Sequence, residues 1–183
     1  MQIVRVLDGV RRIQAQPFRL ENLPAELNRQ SYVPDYLVEQ QDGEKCVVEV
    51  KPARFVAKDR ALFEWTAKTL SRSGLMFFVV TDQHITKARL ETAALIRRCR
   101  KIHLAPGLIE RALASATPSI TWKEALQSDI PPYVWRGLIG QHLLFTDTFD
   151  FETTADARLY STQQESEHDH QIRFLNWLGC TPW

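Results

Sequence analysis

Residues 33–52 read VPDYLVEQQDGEKCVVEVKP, and the fold of the chain is predicted from this stretch. The Asp42-Gly43 pair stands between two apolar runs, the second rich in valine, which is the pattern of a β-hairpin. Pro52 lacks a backbone N–H and therefore ends the pairing of the second strand. The stretch predicts two antiparallel strands joined by a tight turn.

Charged side chains stand where the two predicted strands end. Alternate residues of a strand share a face, so Glu49 and Lys51 project together, while Val48 and Val50 point the other way into a core. If the turn sets the register, Asp35 can be brought beside Glu49 across the hairpin. Two carboxylates and an ammonium are therefore expected to converge.

This combination of groups suits a magnesium site. Mg²⁺ prefers carboxylate oxygens and water, and it leaves coordination positions for phosphate oxygens. Asp35 and Glu49 are the predicted metal ligands, with Mn²⁺ as a substitute for Mg²⁺. Lys51 would orient or help to deprotonate the attacking water, or stabilise negative charge on the phosphate. The predicted chemistry is phosphodiester hydrolysis.

Length and composition restrict the class of protein. A chain of 183 residues with 25% charged side chains is one ordinary domain, or a core domain with a small appendix. No apolar run approaches the roughly 20 residues of a membrane helix, and the start shows no signal-peptide pattern. We therefore expect a cytoplasmic protein without a membrane partner. The three cysteines, which lack C-x-x-C spacing, indicate neither a disulfide framework nor a zinc site.

Basic residues are concentrated in the middle of the chain. Residues 51–111 contain 13 Lys or Arg against 5 Asp or Glu, whereas residues 112–183 contain 4 against 9. Such a basic segment is what a surface that binds nucleic acid requires. The predicted DNA contacts are Lys58, Arg60, Lys68, Arg72, Arg97, Arg98, Arg100 and Lys101. The alternative for the last four is a solvated helix end, because the helix dipole favours cations there.

The order of the predicted elements is that of an α/β protein. Around the hairpin we expect a helix ending near Asp8, strands over Val10 to Leu20 and Leu75 to Thr81, and helices over Lys58 to Arg72 and Ile85 to Ile102. Shorter helices are predicted over residues 108–115, 121–127 and 132–140, the second with a capping box at Thr121 and Glu124. HLLFTDTFDF, residues 142–151, is interpreted as a short hairpin. Residues 1–105 then form the core, and residues 106–183 form a helical or winged-helix-like module and tail.

Three segments resemble the TnsA-type endonuclease subunit of heteromeric transposases, a branch of the PD-(D/E)xK nuclease superfamily. IQAQPFRL is similar to the family's strand with a Gln-Pro element, and YVPDYLV with CVVEVKPA is similar to its catalytic hairpin. FFVVTDQHIT is similar to its strand that ends in Thr-Asp or Thr-Glu. The resemblance extends from about Val4 to Arg98. It implies a restriction-endonuclease-like core, in which helices flank a mixed central sheet.

The resemblance also implies an activity and partners. The protein would be a magnesium-dependent endonuclease that cuts double-stranded DNA at transposon ends, together with a partner transposase and ATPase regulator subunits, and it could form a homodimer. Asp35 matches the metal-binding aspartate, Glu49 the second ligand position and Lys51 the catalytic lysine. The family has a further catalytic glutamate in a helix before the Gln-Pro strand, whereas here no glutamate precedes Glu21. Either the natural protein begins upstream of Met1, or this metal ligand has been lost.

Two alternatives remain open at this point. The missing glutamate favours a catalytically impaired subunit that binds DNA or a partner on a nuclease-like scaffold. A restriction or repair nuclease unrelated to transposition would use the same Asp35, Glu49 and Lys51. The Gln-Pro and Thr-Asp elements are the features that argue against the second alternative.

Overall fold

The computed structural model describes residues 9–146, 148–161 and 178–183, which divide into two compact units. One unit comprises Gly9–Thr86 and Gly179–Trp183, and the other is the described part of Lys87–Leu178. The division therefore falls before the helix predicted over Ile85 to Ile102, whereas the sequence pattern placed it after residue 105. The helix predicted to end near Asp8 lies outside the described residues.

The first unit is built on a mixed sheet. Its elements in chain order are strands β1 (Val10–Ala15), β2 (Leu20–Glu21), β3 (Ser31–Tyr32), β4 (Tyr36–Gln40) and β5 (Lys45–Val50), helices α1 (Ala53–Val56) and α2 (Arg60–Ser71), and strand β6 (Met76–Val80). The strand order is β1-β4-β5-β6; β5 and β6 are parallel, and the other pairs are antiparallel. Strands β2 and β3 form a separate antiparallel pair. The predicted α/β class with a mixed sheet flanked by helices is therefore confirmed.

The predicted hairpin is formed by β4 and β5. Tyr36 pairs with Val48 in its antiparallel register. Gly43 in the turn has a φ of 91°, a backbone conformation that glycine adopts without strain. The adjacent Asp42 carboxylate accepts a hydrogen bond from the Glu44 N–H at 2.9 Å. The turn residues that predicted the hairpin thus form its tight connection.

Strand β1 is shorter than the sequence pattern predicted. It ends at Ala15 rather than near Leu20, because Gln16 adopts a φ of 45° and Pro17 follows. The Gln16 N–H then donates to the carbonyl of Asp35 at 2.8 Å. Beyond this turn the chain forms β2, which pairs with β3 and not with the main sheet.

The face of the sheet that carries α2 is closed by a hydrophobic cluster. Its buried members are Tyr32, Val47, Leu62, Phe63, Leu70, Phe77 and Val79, and Val56 of α1 packs against them. Val48, on the opposite face of β5, is also fully buried. The prediction that Val48 points into a core is therefore confirmed, and the opposite face of β5 is also buried at Val47.

The second unit contains helices and a small sheet. In chain order its elements are α3 (Lys87–Cys99), α4 (Pro106–Ser115), β7 (Ile120–Thr121), α5 (Trp122–Gln127), α6 (Pro132–Gly140), β8 (Leu144–Thr146) and β9 (Arg158–Ser161). Helix α3 packs against α6. A Cβ atom at Gly140 would lie 2.8 Å from the Ile96 carbonyl oxygen, so glycine permits this close approach. The close packing explains why α3 belongs to this unit.

Local predictions for the second unit had mixed outcomes. The capping box at Thr121 and Glu124 is confirmed. The hairpin within residues 142–151 is wrong, since β8 pairs with β9 in the order β7-β9-β8. Phe149 and Phe151 are fully buried, so the chain after β8 turns into the core rather than back along the strand. Within the described residues, none of the helices is long and apolar enough to cross a lipid bilayer.

Candidate metal and catalytic site

Asp35 and Glu49 lie beside each other at the open end of the β4–β5 hairpin. The pairing of Tyr36 with Val48 places Asp35 opposite Glu49 one step further along the register. The Asp35 Oδ2 atom accepts a hydrogen bond of 2.8 Å from the backbone N–H of Val50, which ties the residue to β5. The structure thus brings the two predicted carboxylates together.

The Glu49 carboxylate is buried, with 8% of the residue exposed. The Tyr32 hydroxyl donates a hydrogen bond of 2.6 Å to Glu49 Oε2. Burial is the largest influence on the carboxyl and raises its pKa above the ordinary value, and the negative charge of Asp35 acts in the same direction. Hydrogen bonds from the Tyr32 hydroxyl and from the Asp35 backbone, together with the charge of Lys51, oppose this rise without cancelling it. A cation close to both carboxylates would favour the ionised form of Glu49.

The Lys51 side chain forms an ion pair outside the predicted motif. Its Nζ atom lies 2.6 Å from Oδ2 of Asp59, the residue that precedes α2. The Arg29 guanidinium donates to the other oxygen of Asp59 at 2.9 Å. The hydrogen bond from Lys51 is the largest cause that lowers the pKa of Asp59. Lys51 therefore lies near Glu49, as predicted, with its ammonium paired to a different acid.

Tyr32, Arg29 and Asp59 are the residues of this site that sequence patterns missed. Tyr32 and Arg29 precede the Pro-Asp pair and lie outside the motif from which the site was predicted. One feature of the sequence distinguishes Asp59: it is the only acid between Lys51 and Glu64, in a basic stretch. This feature does not predict the ion pair with Lys51, because an acid before a helix is ordinarily explained by its interaction with the helix dipole.

The Thr-Asp element after β6 closes the same end of the sheet. The Lys51 N–H donates to the Val80 carbonyl at 2.9 Å, which extends the pairing of β5 with β6. The exposed Asp82 carboxylate accepts a hydrogen bond of 2.7 Å from the N–H of Ala53, the first residue of α1. The element therefore connects the end of β6 to the backbone that follows Lys51.

The two carboxylates fit a magnesium site that water and phosphate complete. A carboxylate has about four lone-pair positions, and the bonds from Tyr32 and Val50 leave acceptor capacity on Glu49 and Asp35. Mg²⁺ commonly uses one or two protein carboxylates and keeps several waters. Among the described residues there is no group of three or more His, Cys, Asp and Glu side chains placed to hold a metal.

The predicted DNA-contacting residues are all exposed, and they belong to both units. Arg60, Lys68 and Arg72 recur at intervals of four or eight positions along α2 and its C-terminus, away from its buried face, and Lys58 precedes the helix. Glu64 lies in the same row and pairs with Arg60 at 2.8 Å. The others, Arg97, Arg98, Arg100 and Lys101, occupy the last turn of α3 and the residues after it.

Comparison with known proteins identifies no family for this chain. A scan against models of protein families gives no match, and a search of curated proteins gives none. A functional conclusion therefore depends on the geometry of Asp35, Glu49 and Lys51, together with the local sequence resemblance.

Proposed function

We propose that the chain is a magnesium-dependent DNA endonuclease with a restriction-endonuclease-like core. On this proposal it is a TnsA-type subunit that cuts phosphodiester bonds at transposon ends with a partner transposase and ATPase regulator subunits. The observation that carries the proposal is the placement of Asp35 opposite Glu49 at a strand end, with Lys51 directly after β5.

Each of the three residues has a distinct part in the proposed reaction. Asp35 and Glu49 would hold Mg²⁺ or Mn²⁺, which supplies positive charge to the phosphate and lowers the pKa of the attacking water. The apolar cluster behind Glu49 excludes water from one side of the carboxylate and so strengthens its attraction for a cation. Lys51 adds a second positive charge where the phosphate gains negative charge in the transition state.

The exposed basic row on α2 supports double-stranded DNA as the substrate. Lys68 and Arg72 have no acidic partner within four positions on the C-terminal side, and Glu64 already pairs with Arg60. Such side chains bind phosphates of any base sequence and position the duplex. The second unit offers a separate set of exposed cations for DNA phosphates: Arg97, Arg98, Arg100 and Lys101.

A second candidate function is binding of DNA or a transposition partner without cleavage. The observation that favours it is the 2.6 Å ion pair between Lys51 and Asp59. An ammonium held by a buried carboxylate has less freedom to reach a water molecule or a phosphate. On this view the nuclease-like scaffold and its basic surface are retained, and the chemistry is lost.

Calorimetric titration with Mn²⁺ tests the proposed site without knowledge of the DNA target. We expect the wild-type chain to bind Mn²⁺ and Asp35→Ala to lose that binding. Glu44→Ala is the matched control, because Glu44 is an exposed acid in the turn of the same hairpin. Absence of binding to the wild-type chain at millimolar Mn²⁺ would contradict the proposed nuclease and leave the binding protein as the working model.

A further inference from the structure

Tyr32 lies just before the Pro-Asp pair and outside the predicted catalytic motif. It belongs to β3, which pairs with β2, so it comes from a different strand pair than Glu49. The residue is 7% exposed and is part of the hydrophobic cluster that includes Val47 and Phe63. Its ring is thus held by packing, while its hydroxyl contacts Glu49.

The hydrogen bond between Tyr32 and Glu49 is short and buried. A distance of 2.6 Å from the hydroxyl to Oε2 is typical of an O–H donor with an ionised acceptor. A glutamate has three side-chain torsions, and burial alone does not select one orientation of its carboxylate. A hydroxyl donor whose ring is fixed by packing does select one orientation of the carboxylate.

The two carboxylates are oriented by different kinds of donor. Asp35 is held by the backbone N–H of Val50, which belongs to the sheet itself. Glu49 is held by a side-chain hydroxyl from outside that sheet. Glu49 also receives a backbone hydrogen bond from Asp35, so the Tyr32 hydroxyl is the part of its support that a single substitution can remove.

We propose that Tyr32 is a positioning residue that orients the Glu49 carboxylate toward a divalent cation shared with Asp35. The inference rests on the proposed metal site and adds a residue to it. Partners that hydrogen-bond to metal ligands commonly change metal affinity by about 10–100-fold when they are removed. The bond would then contribute to metal binding as well as to the stability of the fold.

Tyr32→Phe is the variant that tests this inference, because it removes the hydroxyl and retains the ring. Calorimetric titration of the full chain with Mn²⁺ should show an affinity about 10–100-fold weaker than that of the wild type. Tyr36→Phe is the matched control; the hydroxyl of Tyr36 makes no hydrogen bond with any part of the chain that the structure describes. That control should bind Mn²⁺ like the wild type.

A double-mutant cycle separates positioning of Glu49 from a general loss of stability. In the Glu49→Ala background, Tyr32→Phe should have no further effect on Mn²⁺ affinity, since the group on which it acts is gone. Should Tyr32→Phe unfold without metal, the titrations are repeated in trimethylamine N-oxide, which favours the folded state. A purely structural hydroxyl would lower the unfolding temperature and leave Mn²⁺ affinity unchanged.

The outcomes distinguish this inference from the proposed function. Equal Mn²⁺ affinity of the wild type and the folded Tyr32→Phe variant overturns the role of Tyr32 and leaves the metal site intact. A further loss of affinity on adding Tyr32→Phe to Glu49→Ala would also overturn it. Failure of the wild type to bind Mn²⁺ overturns the metal site and the positioning role together.

Discussion

The Lys51 ammonium lies 2.6 Å from Oδ2 of Asp59, so the predicted catalytic lysine is bound to an acid outside its motif. The Asp59 side chain is 9% exposed, and Arg29 contacts its other oxygen. The end of β5 is thereby connected to the start of α2. This ion pair fixes Lys51 beside the carboxylates and also competes with a phosphate for its charge.

Asp59→Asn should lower the free energy of unfolding by about 1–2 kcal/mol. A fully buried pair would lose about 3–5 kcal/mol, but Lys51 and Arg29 are 26% and 44% exposed and remain partly solvated. Urea denaturation at pH 7 measures the difference. Glu64→Gln, which breaks the exposed pair with Arg60, is the control and should change stability by less than about 0.5 kcal/mol. Equal losses in both variants would show that Asp59 has no special structural role.

Glu49→Gln should stabilise the metal-free protein at neutral pH. The pKa of Glu49 is raised above 4.5, chiefly by burial, so the native state holds this proton more tightly than the unfolded state does. Wild-type stability therefore falls as the pH rises from the unfolded-state pKa through the native one. Glutamine lacks this charge and still accepts the bond from Tyr32. The variant should be more stable above that window by about 1.4 kcal/mol for each pH unit by which the pKa is raised.

Urea denaturation of Glu49→Gln and the wild type in chelator, at pH 4 and at pH 8, checks this prediction. The free energy of unfolding of Glu49→Gln should exceed that of the wild type at pH 8 and should nearly equal it at pH 4. If the difference in the free energy of unfolding grew on acidification, the native environment would favour the ionised carboxylate of Glu49. Asp42→Asn, at an exposed acid of the same hairpin, serves as the control for general charge effects.

Lys51→Ala should abolish DNA cleavage while leaving the affinities for Mn²⁺ and for duplex DNA nearly unchanged. In the proposed reaction the side chain acts on the phosphate, whereas the proposed metal ligands are Asp35 and Glu49. Nicking of supercoiled plasmid with Mn²⁺, in the presence of partner subunits where these are required, measures cleavage. Lys45→Ala, at an exposed lysine at the other end of β5, should cut like the wild type. Full activity of Lys51→Ala would exclude the proposed role.

Lys68→Ala and Arg72→Ala should each weaken duplex binding in the same proportion for any base sequence. Each lost phosphate contact should reduce the slope of log affinity against log salt concentration by about 1. Arg60→Ala should have a smaller effect, because Glu64 already pairs with this guanidinium. Fluorescence anisotropy with a generic duplex across a salt series measures both quantities. Unchanged slopes in the first two variants would show that this row of α2 does not contact DNA.

Local features of the site were predictable from the sequence. The Asp42-Gly43 turn and the alternation of the flanking strands predicted the hairpin, and with it the proximity of Asp35 and Glu49. Helix α2 was predictable from the helical spacing of its apolar residues and strand β6 from a short continuous apolar run, with bounds that differ by one or two residues. These features depend on neighbouring residues, whose geometry is set by backbone sterics and side-chain periodicity.

Other features depend on contacts between residues distant in the chain. Glu49 is 8% exposed, and its bond to Tyr32 joins strands of two separate sheets. The pairing of β8 with β9 brings together segments separated by a loop, which the alternation within residues 142–151 does not reveal. A pattern of nearby residues carries no information on which distant group will fill a buried space.

The sequence alone was sufficient for the types of residue at the site, their order and the local register that aligns two carboxylates, because turns and strand periodicity act over a few residues. The tertiary structure was needed for the environment of those groups. Tertiary packing leaves 8% of Glu49 exposed and brings the Tyr32 hydroxyl to its carboxylate, and the approach of Asp59 and Arg29 determines the partner of Lys51. Desolvation and ion pairing arise only when distant segments pack together, and they determine the protonation and the orientation of these side chains.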